Sequence, residues 1–295
     1  MFWRLRTAAM FIFLSLLLML LGTIVFALLN LDIYTGLIVM AVLSFFVCVI
    51  MYFSSKGMAL RANGARLVTE TEEPRLYRTV RSVSQMAGIP MPDVGVTESP
   101  MPNAFAAGRN PKNAVIVATR GLLNTLNDEE LEGVIAHEAA HIKNRDILVM
   151  TVAAGISAVI TVAARFTFLA SLFRGDDRNP WLLVVALLAY ITFPIAAVLI
   201  QLGISRKREY LADESAAKYT GRPLALASAL ETISRPPARV GDYDLSMLER
   251  DAPVNTAHMW ISPPPRKEGL LKTMFSTHPP MEDRIARLRK MAGVL

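Results

Sequence analysis

Four apolar runs of near-bilayer length constrain this chain more than any other feature. They are Thr7–Leu29, Ile33–Phe53, Ile147–Phe173 and Trp181–Gly203. About 20 residues suffice for a helix to cross the hydrocarbon core, where the backbone must satisfy its own hydrogen bonds. The first two runs are joined only by Asn30-Leu31-Asp32, too short for anything but a helical hairpin. The last two are joined by a short polar loop around Arg174-Gly175-Asp176-Asp177-Arg178. With 53% hydrophobic and 19% charged residues and a mean hydropathy of +0.38, the composition lies beyond an ordinary soluble domain. The first run is longer than a signal-peptide core, and a second span follows at once. It therefore reads as an uncleaved anchor. Arg165 interrupts the third run. Either it snorkels near the far end of a full span, or runs three and four form a hairpin that only partly crosses.

Four segments follow: a transmembrane hairpin over 1–55 (spans 7–29 and 33–53), a polar segment over 56–146, a second hairpin over 147–203 and a polar segment over 204–295. Arg4 and Arg6 precede the first span, Lys56, Arg61 and Arg66 follow the second, and Arg206, Lys207 and Arg208 follow the fourth. The loop between spans one and two carries no basic residue. The positive-inside rule therefore places both termini and both polar segments in the cytoplasm, although Arg174 and Arg178 oppose it weakly. The net charge of +6 suits juxtamembrane cations facing anionic lipid. No aromatic-basic motif suggests nucleic acid. Cys48 is the only cysteine and lies within span two, so a disulfide framework and a cysteine metal site are both excluded.

At the end of the first polar segment stands His137-Glu138-Ala139-Ala140-His141. On a helix, residues four apart share a face, so both histidines can reach one zinc ion. Glu138 can then meet a metal-bound water as general base. The blander reading is a pair of surface histidines on a charged helix. Asn127-Asp128-Glu129-Glu130 reads as the helix start, with acids where the dipole favours them. Leu131, Val134, Ile135 and Ala139 form an apolar stripe. The expectation is one helix that carries the His pair and continues into the third apolar run.

A catalytic zinc usually has three protein ligands and an open position. No third histidine follows at metzincin spacing, which leaves a carboxylate on another helix. Glu209 and Asp213, after the fourth run, are four apart and share a helical face. Glu209 could bind zinc while Asp213 accepts a hydrogen bond from a ligating histidine. A solvated charged face is the plain alternative for this pair. Elsewhere, Pro74 opens a helix with Leu76, Val80, Val83 and Ala87 inside and Gly88 as its stop. Val94-Gly95-Val96 is a short strand. Asn103–Ala107 and Ala114–Ala118 form a hairpin around Gly108-Arg109-Asn110-Pro111. The Pro-rich stretch 234–276 reads as a long mobile connection. Pro280 opens a last helix with Ile285, Leu288 and Met291 inside.

The chain resembles the HtpX family of membrane zinc endopeptidases, related to the CAAX prenyl endopeptidases. The resemblance rests on His137–His141 followed by Asn144-Arg145-Asp146, on Ser205–Asp213, on Pro102–Gly108, and on Ser276-Thr277-His278-Pro279-Pro280 with Arg284, in the family's order. Ala107 stands where Thr is expected in many relatives. The resemblance implies an α+β, predominantly α-helical integral membrane protein. It would have four transmembrane helices and a cytoplasmic zincin-like metalloprotease domain carrying a small β-sheet. One Zn2+ per chain would be held by His137, His141 and Glu209, with Glu138 as general base and Asp213 behind a ligand. His278 would steady the oxyanion near the site, or else be an ordinary loop histidine. Asn103, Ala104, Phe105 and Ala106 would pair with an extended substrate.

The implied activity is hydrolysis of misfolded or damaged membrane proteins at the cytoplasmic face of the bacterial inner membrane, as stress-linked quality control. The lipid bilayer and other membrane quality-control proteases are the expected partners. The alternatives are a CAAX-type prenyl-protein endopeptidase and a non-proteolytic membrane adaptor with a structural metal. An intramembrane protease would place the His pair inside an apolar run. Here it lies between Asp128–Glu132 and Lys143–Asp146.

Overall fold

A computed structural model describes residues 32–148, 206–234 and 279–294, together with positions 12, 15, 16, 19, 20 and 23 of the first apolar run. The third and fourth runs beyond residue 148, Arg165, the Pro-rich stretch and His278 lie outside the described residues. The chain divides into two compact units, Met1–Ser54 with Val152–Gly203, and Ser55–Thr151 with Ile204–Leu295.

In the first unit the second apolar run becomes helix α1. This helix spans Ile33–Ala62, 30 residues, and ends within the second unit. At 1.5 Å per residue its length is about 45 Å, more than a hydrocarbon core requires. Ile38, Phe45, Phe46, Ile50 and Phe53 are exposed along it. Such a surface suits lipid and would be costly in water.

The second unit holds a four-stranded sheet in the order β1-β2-β4-β3. The strands are β1 (Arg66–Leu67), β2 (Asp93–Thr97), β3 (Ala104–Asn110) and β4 (Asn113–Thr119). β2 runs parallel to β4, and the outer two pairings are antiparallel. Ala114–Thr119 of β4 is buried throughout, as befits a central strand covered on both faces. Helix α2 (Pro74–Ala87) begins at Pro74 and ends at Gly88, which adopts the left-handed conformation. Ile89 N–H closes the cap on Ser84 O at 3.0 Å, a Schellman ending. Leu76, Val80, Val83 and Ala87 are buried as the periodicity predicts.

The hairpin is longer than expected. β3 continues through Gly108–Asn110, and the turn is Pro111-Lys112. Gly108 does not turn the chain but lets it bulge, at φ 138°. A Cβ there would stand 2.2 Å from Asn113 O, so only glycine fits.

Further described helices of this unit are α3 (Arg120–Thr125), α4 (Asp128–Lys143), α5 (Arg206–Thr220) and α6 (Pro223–Ser234). The last described element is α7 (Met281–Met291). Leu131, Val134, Ile135 and Ile142 of α4 join Leu226 and Leu230 of α6 and Leu288 of α7 in one core. The buried face of α7 differs from expectation. Leu288 is inside and Ile285 packs at the margin, but Met291 is exposed and Arg284 is buried as completely as Leu288.

Candidate metal centre

The His-bearing helix is well started. Asn127 Oδ1 accepts from Glu130 N–H at 2.9 Å, and Glu130 Oε2 accepts from Asn127 N–H at 3.0 Å. This capping box satisfies two otherwise orphaned donors. Glu130 Oε1 also accepts from Ser228 Oγ–H at 2.6 Å, which fastens the start of α4 to α6. At the other end the expected continuous helix is broken. α4 stops at Lys143, and Arg145 takes φ 59°, a position where helices usually place glycine or asparagine. The left-handed residue costs energy for an L side chain. In return it turns Asp146 back onto His141, with Oδ2 3.4 Å from Nδ1.

Glu209 and Asp213 lie on one face of α5, as their spacing predicts. Both are buried rather than solvated, at 3% exposure. His137 Nε2 and His141 Nε2 are 3.2 Å apart. Glu209 Oε2 is 3.6 Å from His137 Nε2, and Glu209 Oε1 is 3.4 Å from His141 Nε2. Three ligands at zinc-like bond lengths on a tetrahedron would be about 3.3 Å apart, so the donor set fits such an ion. Behind the ligand atoms each imidazole meets a carboxylate. Asp213 Oδ1 is 2.8 Å from His137 Nδ1, and Asp146 serves His141.

Charge makes the same point. Glu138, Glu209, Asp213 and Asp146 crowd this site, and Arg284 and Arg208 are the guanidinium groups beside them. When both histidines are neutral, as metal ligands must be, the four carboxylates exceed these two cations by two negative charges, which a divalent ion would balance. Burial opposes protonation of His137, yet hydrogen bonds to Asp213 and Glu209 more than offset this and lift its pKa to about 9. Burial pushes the Glu138 carboxyl up from its ordinary value, against the pull of the two histidines. Asp213 is also penalised by burial, but Arg284 holds it below the usual carboxylate range.

The expected substrate strand occupies the sheet's last position. Thr119 N–H donates to Asn103 O at 2.9 Å, so 103·119 is a hydrogen-bonded pair. Alternation along the ladder makes 105·117 and 107·115 the next such pairs. Ala104 and Ala106 therefore direct their main-chain groups away from β4. Asn103 Oδ1 already accepts from Ala104 N–H at 3.0 Å. Residues 104–107 are buried, so this edge is not an open surface. Two residues that touch the site, Asp146 and Arg284, carry no chemical role from the sequence; both stand only in the motifs that carry the family resemblance.

The sequence matches the model of Peptidase family M48 over residues 70–292. This chain belongs to peptidase family M48. A protease HtpX homolog of Pyrococcus furiosus is 46% identical over 259 residues, 87% of each chain. One from Kineococcus radiotolerans is 46% identical over 249 residues, 82% of this chain and 81% of its own. The crystal structure of S. mikatae Ste24p aligns at 20% identity with a TM-score of 0.49; the match covers 92% of this chain and 61% of that one. Family membership together with the apolar helix α1 makes the chain a membrane-bound metalloprotease.

Proposed function

We propose that this M48 chain is a zinc endopeptidase, anchored by several spans in the bacterial inner membrane, that hydrolyses misfolded or damaged membrane proteins at the cytoplasmic face. The observation that carries this reading is the convergence of His137, His141 and Glu209 beside the buried carboxylate of Glu138. His137, His141 and Glu209 would hold the ion. A zinc ion bound there would supply Lewis acidity toward a carbonyl oxygen and lower the pKa of water toward neutrality. Glu138 takes the proton from the attacking water and passes it to the leaving amine. Asp213 and Asp146 fix the histidine tautomers so that both Nε2 atoms face inward.

Substrate binds as an added strand on β3. The main-chain groups of Ala106 supply affinity without demanding a particular sequence, as a quality-control enzyme requires. Because β3 is buried, productive binding includes uncovering that edge. The test uses full-length protein in detergent, incubated with an unfolded, unprenylated protein with and without zinc. Zinc-dependent cleavage is expected. Cleavage of prenylated peptides alone would instead make the chain a CAAX-type endopeptidase. A Glu138→Gln protein that keeps its full cellular function would make it an adaptor.

A further inference from the structure

Asp213 stands between His137 and a second, positive group. Arg284 of α7 is fully buried, at 0% exposure. Its Nε donates to Asp213 Oδ2 at 2.8 Å and its Nη2 to Asp213 Oδ1 at 2.7 Å. Removing a guanidinium from water is expensive and is offset only by well-aligned partners. The paired fork is the geometry that does so. The oxygen that receives Nη2 is the one 2.8 Å from His137 Nδ1. The fork therefore sets the rotation of the carboxylate, and with it the direction in which Oδ1 meets the imidazole. Arg284 Nη1 also stands 3.8 Å from Glu209 Oε2, and Nη2 lies 3.4 Å from His137 Nδ1, a much longer approach than its 2.7 Å bond to Asp213.

The other histidine has a looser counterpart. Asp146 is 3.4 Å from His141 Nδ1, and Arg208 Nη1 lies 2.9 Å from Asp146 Oδ1 without hydrogen-bond alignment. Of the two arginine–carboxylate–histidine chains, only the one through Arg284 is held rigidly on both oxygens.

We infer that Arg284 is a positioning residue of the metal centre: it acts through Asp213 to orient His137 and makes metal retention depend on the C-terminal helix. This rests on the reading of His137 as a ligand. The test measures zinc release to a chromophoric chelator, and the absorption spectrum of the cobalt-substituted protein, on the full chain in detergent. Arg284→Lys keeps the charge but loses the fork. It should release zinc about 10- to 100-fold faster and shift the cobalt bands. Arg289→Ala breaks the surface pair of α7 with Glu231 (2.6 Å) and should change neither. In an Asp213→Asn background, Arg284→Lys should add little.

The inference is overturned if Arg284→Lys matches the parent, if its effect persists undiminished in Asp213→Asn, or if Arg289→Ala reproduces it. Should Arg284→Lys not fold, Asp213→Asn alone decides: parent-like release and spectrum would overturn the inference. A parent protein that binds no zinc would overturn the functional reading itself, and the inference with it.

Discussion

Glu138 and Glu209 are buried carboxylates beside the same two histidines, and the proposed reading gives them opposite work. Only Glu209 has both oxygens directed at the imidazole Nε2 atoms. Glu138→Gln should therefore keep its metal while turnover falls about 10²- to 10⁴-fold, the usual worth of a general base. Glu209→Ala should lose metal as well as activity. Metal analysis beside turnover on both variants checks this, and equal metal loss would mean the roles are exchanged. Helical spacing puts the His pair on one face and pairs Glu209 with Asp213, but the zinc-ligand role of Glu209 comes from the family resemblance, since spacing alone also fits a solvated charged face. The role of Arg284 is not legible from spacing. Arginine is rarely fully buried, and its burial here depends on a carboxylate 71 residues away.

At the scale of elements, what the sequence discloses is local chemistry. Pro74, Gly88 and the Asn127–Glu130 box mark their helices because each acts on its own backbone. The break after Lys143 is hidden, because Asn144-Arg145 reads as a polar collar and the reward for turning is a tertiary contact of Asp146 with His141. The length of β3 is hidden likewise, since Gly108 followed by Asn110-Pro111 resembles a turn more than a bulge. The ladder geometry yields a prediction that the sequence could not. Ala106 points its N–H away from β4, whereas Phe105 points toward Val117. Ala106→Pro should raise KM or cut kcat severalfold with little change in melting temperature or zinc content. Phe105→Pro should break the ladder and destabilise the fold. Thermal melts and steady-state kinetics on the two variants separate them. Parent-rate cleavage by a folded Ala106→Pro protein would move substrate binding elsewhere.

At the scale of the whole molecule, membrane and metal impose separate demands. By the positive-inside rule, the basic residues Arg4, Arg6, Lys56, Arg61 and Arg206–Arg208 predict a cytoplasmic C-terminus. A reporter fused there should be active only in the cytoplasm, and activity outside it would refute the orientation. Within the second unit, the metal centre joins α4, α5 and α7, which do not meet consecutively in sequence. Two of these elements contribute carboxylates that repel one another when no cation lies between them. Removing the metal should therefore cost stability as well as activity. A site that binds zinc only in the folded state gains about 2.7 kcal/mol when free zinc is 100 times Kd. For a unit of this size that corresponds to a melting temperature higher by roughly 5–10 °C. Chelator-treated protein should accordingly be inactive and melt lower, and zinc should restore both properties. Glu138→Gln should recover the melting temperature but not the activity, because it leaves the ligands intact. His141→Ala should recover neither. A melting temperature indifferent to zinc in the parent would mean that the cluster closes without a cation, and the charge argument for the site would fail.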